Sequence, residues 1–251
     1  MISRRNFAIG LISAPLLFEA MPLFGQNVNI TELSFDQLLF PPFEALDNPE
    51  PFGYSSPNEA QKRKAMEIIN TTPKGPKAID IAQSFIDRFY KKDPEAISQW
   101  PAPRSWNPLI KTFFSATVNP ANNDMIPWCA AFVNWCIERS GRNGSRSASS
   151  QSFLNQEFFK NTDSPQIGDL IIFTCYDKNT DKSLGIGHVA FVKELPESGH
   201  VKCIGGNQSF DGKNSIVCEK PYRTSPFEVN RIVNGKHIPC TMRINTFIRL
   251  I

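Results

Sequence analysis

Apolar residues recur along this chain with two different periods, and the change of period divides it. In its first two thirds they fall at helical spacing. Between Ala78 and Tyr90, the residues Ala82, Phe85, Ile86, Phe89 and Tyr90 stand at i, i+3, i+4, i+7 and i+8, one face of a helix. Pro76 sits where a first helical turn accepts proline. A shorter helix is expected over Glu59–Asn70, and another helical piece over Leu109–Phe114. The clearest helix is Pro127–Ser140, with proline at its start and Gly141 at its end. Cys129, Phe132, Val133, Cys136 and Ile137 share its apolar face. The polar stretch from Gly141 to Ser152 reads as a mobile loop.

From Gly168 onward the period becomes two and β-branched residues accumulate. Strands are expected at Asp169–Cys175, Gly187–Leu195 and Thr241–Leu250. Val201–Ile204 and Ser215–Glu219 are expected to form a hairpin around the loop Asn207–Asn214. Helices first and antiparallel strands afterwards indicate an α+β fold rather than a βαβ sheet. Residues 26–58 are rich in proline and polar residues, with Pro41-Pro42, Asn48-Pro49 and Ser56-Pro57, and read as an irregular arm. No internal repeat is evident. The expected organisation is residues 1–25 as an export signal, 26–100 as an arm and helices of unassigned function, and 101–251 as the working domain.

The N-terminus changes the picture of where the protein acts. Ser3-Arg4-Arg5-Asn6-Phe7 resembles a twin-arginine export signal, and the apolar run Ala8–Phe18 follows it. That run is shorter than the roughly 20 residues a spanning helix needs, and suits the h-region of a signal peptide. Cleavage is expected after Gly25, giving a periplasmic or cell-surface protein with no stable membrane insertion; an uncleaved anchor, or a cytoplasmic protein with a chance Arg-Arg pair, is the alternative. The formal charge of +3 is too small to argue for nucleic acid, and no basic run is interleaved with aromatics.

The six cysteines show no CxxC and no zinc-ribbon spacing. Cys129 and Cys136 lie about two turns apart on one helix, too far for a bridge. Cys203 and Cys218 are the one pair that could face each other across two strands.

A cysteine nucleophile needs a depressed pKa, a base and donors for the oxyanion. A helix N-terminus supplies part of the first and the third. Cys129 is expected in the first turn of its helix, where the effect is largest; Cys136 gains little from it. The competing reading of Cys129 is a small buried residue on an apolar face. His188, in Gly185-Ile186-Gly187-His188, stands at a glycine-lined strand entry where it could meet a helix end and accept the thiol proton. His200 and His237 fit solvated turn positions better. Asn207, in Gly205-Gly206-Asn207-Gln208-Ser209, follows the next strand and could orient the imidazole; an ordinary turn asparagine is the competing reading.

These residues also carry a resemblance. Pro127-Trp128-Cys129-Ala130 with Phe132 to Cys136, Gly168-Asp169-Leu170-Ile171-Ile172-Phe173, Gly187-His188-Val189-Ala190-Phe191-Val192 and Gly205-Gly206-Asn207-Gln208-Ser209 resemble, in order, the motifs of CHAP and NlpC/P60 peptidoglycan hydrolases. The resemblance runs from about Asn107 to the C-terminus. It implies a papain-like fold with the nucleophile at the N-terminus of a helix packed on an antiparallel sheet. By position it implies Cys129 as nucleophile, His188 as base and Asn207 as orienting residue. It further implies a cysteine amidase or endopeptidase on peptidoglycan, cutting between sugar lactate and L-Ala or within the peptide stem, with no metal and no organic cofactor; the competing readings are a papain-like thiol hydrolase on a non-wall amide and a catalytically inactive wall-binding module. Asn123, six positions before Cys129, is similar to the oxyanion glutamine of papain-like proteases, while Asp124 beside it could cap the helix. Trp128 either walls a cleft or packs on the sheet.

Overall fold

The computed structural model describes residues 55–100, 105–118, 121, 124, 126–209, 215–233 and 236–250. Most of the proline-rich arm, Asn123 and the export segment therefore lie outside the described residues.

Among the described residues, four α-helices precede the sheet. Helix α1, Glu59–Thr71, starts with a reciprocal cap: the Asn58 side chain accepts from Gln61 N at 3.0 Å and Gln61 Oε1 accepts from Asn58 N at 2.8 Å. Helix α2 covers Ala78–Phe85, with Lys77 rather than Pro76 next to its first residue. The expected single helix to Tyr90 instead widens into a π-helical turn over Ile86–Tyr90, whose side chains are at most partly buried. Helix α3, Pro108–Phe113, is capped by Asn107, whose Oδ1 accepts from Leu109 N at 2.9 Å. Helix α4 runs Cys129–Arg139. It ends as the glycine at 141 foretold: Gly141 has φ +84°, its N–H donates to Glu138 O at 2.9 Å and Arg142 N donates to Ile137 O at 3.2 Å.

The loop after α4 is tied down rather than loose. Asn134, fully buried in α4, donates to Ser147 O at 2.8 Å and to Ser145 Oγ at 3.1 Å, and accepts from Arg146 N at 3.2 Å. A polar side chain on the inner face of α4 thus spends its hydrogen bonds on the following loop, which satisfies both partners.

Seven antiparallel strands follow: β1 Phe159–Thr162, β2 Leu170–Asp177, β3 Ser183–Glu197, β4 His200–Gln208, β5 Ile216–Arg223, β6 Phe227–Val233 and β7 Lys236–Leu250. Their order is β1-β7-β2-β3-β4-β5, with β6 paired to β7. Strands β1 and β6 were not expected from the sequence; β1 has four residues with an exposed centre, too short for a period to show. The fold is α+β, as the sequence indicates.

Alternation along the strands feeds two apolar clusters. Leu170, Ile172, Val189, Phe191 and Ile204 join the helices in the larger one. Ile171, Phe173, Cys175, Ile186, Ala190 and Val192 form the other with Val201, Tyr222 and Met242. Strand β2 is buried on both faces over Leu170–Cys175, which explains its unbroken apolar run. Side chains of α1 and α2, including Ala65, Ile68, Ile81 and Phe85, share the larger cluster with α4.

Cys203 and Cys218 do not face each other. The register pairs Cys203 with Lys220 and Cys218 with Gly205, an offset of two residues, and all six cysteines are buried.

Candidate active site

Helix α4 packs on β3 and β4, so its first residue is brought to the strands that carry the other polar candidates. Cys129 is that first residue and is fully buried. The helix has no side-chain N-cap bond: Trp128 stands at the cap position with φ −122° and ψ 14°. The partial positive charge of the N-terminal N–H groups of α4 acts where Cys129 sits. Cys136 is fully buried one face-repeat further on, and burial pushes its thiol well above the ordinary range.

Trp128 is fully buried and stacks on Phe113, with ring centroids 6.1 Å apart and planes 27° apart. Its ring lies against Gly206 of β4: a Cβ there would stand 2.3 Å from Trp128 Cζ3 and 2.8 Å from Phe132 Cβ. This contact seats the start of α4 on the end of β4.

His188 lies in β3 opposite Phe173 of β2, 6% exposed. Its ring sits between aromatic neighbours, with centroids 6.5 Å from Phe173 and 5.6 Å from Tyr222. The close approach expected of the neighbouring glycine is present, since a Cβ on Gly187 would fall 1.7 Å from Phe173 O. His188 Nε2 stands 3.1 Å from Gln208 Oε1. Tyr222 Oη donates to the same oxygen at 3.0 Å, and Gln208 Nε2 donates to Cys218 O at 2.7 Å. Gln208 is only 2% exposed.

Asn207 belongs to β4 rather than to the loop beyond it. It sits in the left-handed region at φ +55°, at a bulge between the pairs Gly205–Cys218 and Gln208–Ile216. Its Oδ1 accepts from Ser215 Oγ at 2.6 Å, while its buried Nδ2 has no hydrogen-bond partner among the described residues. His200 opens β4 at an exposed position, and His237 lies in β7.

Asp124 does not cap α4. It is fully buried, and its Oδ2 accepts from Trp100 N at 3.2 Å and Asn107 N at 2.7 Å. It therefore ties the connection before α3 to the approach of α4. Burial raises its carboxyl to about 7, against the opposing pull of those N–H bonds. Its Oδ1 has no hydrogen-bond partner among the described residues.

Gln208, Tyr222 and Asn134 went unnoticed in the sequence. For Gln208 a signal was present in its two preceding glycines. Gly206 makes room for Trp128, and a Cβ on Gly205 would stand 3.0 Å from both Cδ and Oε1 of Gln208.

Residues 121–207 match the family model of the CHAP domain. Over this segment the chain is similar to CHAP domains. Cys129, His188 and Asn207 all fall within the matched residues, and Gln208 is the first residue past their end. CHAP domains are typically hydrolases, and the domain implies a peptidoglycan substrate. No curated protein and no solved structure matches the chain. Among the described residues, no helix is long and apolar enough to cross a membrane.

Proposed function

We propose that this protein is an exported cysteine amidase or endopeptidase that cleaves an amide bond in peptidoglycan, with Cys129 as nucleophile and His188 as base. The observation that carries the reading is the position of Cys129 as first residue of α4, inside the CHAP segment. A helix N-terminus favours the thiolate over the thiol, and its N–H groups can receive the oxyanion. His188 supports the reading as a buried imidazole with a held ring on a strand against which α4 packs.

In this mechanism the Cys129 thiolate attacks the amide carbonyl, and the carbonyl π-pair moves to oxygen. Collapse of the tetrahedral intermediate expels the amine, which takes a proton from His188. The imidazole then takes a proton from water, whose oxygen attacks the thioester and regenerates Cys129. Asn207 stands at the bulge of β4, one residue before Gln208. Export through the twin-arginine-like N-terminus would place the enzyme in the periplasm or at the cell surface, next to its substrate.

The test is digestion of purified peptidoglycan by the mature protein and by Cys129→Ala, with soluble fragments followed by mass spectrometry. Release by the wild type alone supports the reading, and the fragment masses name the bond. No release, together with no labelling of Cys129 by iodoacetamide near neutral pH, overturns it.

A further inference from the structure

We propose that Gln208 is the positioning residue for His188, and that with Tyr222 it dictates which imidazole nitrogen carries the proton. The proposal rests on the reading of His188 as the base. The argument starts from the Cys218 carbonyl, which can only accept. Because Gln208 Nε2 lies 2.7 Å from that oxygen, the NH2 end of the amide is fixed there and the oxygen end must face His188. Tyr222 Oη, 3.0 Å from Gln208 Oε1, donates to it.

An amide oxygen has no proton to give. The contact of 3.1 Å between His188 Nε2 and Gln208 Oε1 therefore requires Nε2–H, and the basic lone pair of the neutral ring resides on Nδ1. All three members are buried: Gln208 at 2%, His188 at 6% and Tyr222 at 8% exposure. A rotated ring would strand polar atoms in a low-dielectric setting, which holds the orientation.

The backbone builds this arrangement. The bulge at Asn207 adds one residue to β4, so that Gln208 folds back over Gly205, whose missing side chain leaves the space. Asn207 is meanwhile committed through Oδ1 to Ser215. A neutral amide holds the ring without adding charge. This makes Gln208→Glu diagnostic, because a carboxylate at the same place favours imidazolium.

The experiment uses the mature chain labelled with 15N. Long-range 1H–15N spectra give the tautomer and titration midpoint of each histidine, His188 being assigned by its loss in His188→Gln. Iodoacetamide alkylation of Cys129 is measured in parallel. The expected results are an Nε2–H tautomer in the wild type and a midpoint raised by about one pH unit in Gln208→Glu. In Gln208→Met the single tautomer is lost and alkylation slows about tenfold or more. An Nδ1–H wild type, or an unmoved midpoint in Gln208→Glu, overturns the proposal. Should Gln208→Met fail to fold, the Gln208→Glu midpoint decides alone. A wild-type Cys129 alkylated no faster than a thiol in an unfolded chain defeats the nucleophile reading, while tautomer and midpoint still judge the hold of Gln208 on the ring.

Discussion

Trp128 and Gly206 touch ring to backbone, so closely that a Cβ on Gly206 would lie 2.3 Å from Cζ3 of the indole. Strand β4 and the start of α4 are held at a separation that only glycine permits. Gly206→Ala should lower stability by about 1–3 kcal/mol through overpacking. Chemical denaturation measures it. Trp128→Phe in the same chain should recover part of the loss, and strictly additive effects of the two changes would contradict the contact.

Asp124 should make stability depend on pH. Its folded carboxyl titrates at about 7 against an ordinary 3.8. Between those values the folded chain keeps a proton that the unfolded chain has released, so stability falls as pH rises through this window and levels off above it. Melting temperatures from about pH 5 to about pH 8 should decline, by several kcal/mol in free energy at most. Asp124→Asn keeps an acceptor for Trp100 N and Asn107 N and should flatten the decline. An equal slope in that variant would assign the effect elsewhere.

Arg139 reaches from the last turn of α4 to the C-terminal end of α1. Its guanidinium donates to Ile69 O at 2.8 Å, to Pro73 O at 3.0 Å and to Thr72 O. Helix α1 has no basic residue in its own last turn, so a neighbouring helix supplies the cation its carbonyls attract. Arg139→Ala should cost about 1–3 kcal/mol, and Arg139→Lys should restore only part because it lacks the planar fork. Urea unfolding followed by far-UV circular dichroism would read both.

His188→Ala should reduce release of peptidoglycan fragments by about 10²–10⁴-fold while the protein remains folded. Hydrolysis unchanged from wild type would remove His188 from the mechanism.

The helix that begins at Cys129 was legible because its signals are local: a proline before it, a glycine after it and apolar residues at a helical repeat. The strands carrying His188 and Asn207 were legible in outline because β-branched runs alternate. What could not be read depends on distant backbone. The bulge at Asn207 breaks the count of alternate residues, so no pattern in the sequence places Gln208 rather than Asn207 at the His188 ring. The hold of Asn134 on the loop Ser145–Ser147 is of the same kind, since a polar residue on an inner helix face cannot announce its partner. Cys203 and Cys218, the one pair that could have faced each other, are offset for a related reason: a hairpin's register is set by its turn and its bulge.

Phe113 sits among four rings, with centroids 5.1 Å from Phe132, 5.5 Å from Trp135, 5.6 Å from Phe85 and 6.1 Å from Trp128. Two of these five aromatics, Phe85 and Phe113, precede the segment by which the family is recognised. The unit of ancestry and the unit of folding are therefore different lengths of chain. A fragment cut to residues 121–207 would carry Cys129 and His188 yet turn the bare aromatic flank of α4 to water, and would collapse or self-associate before it could hold a substrate.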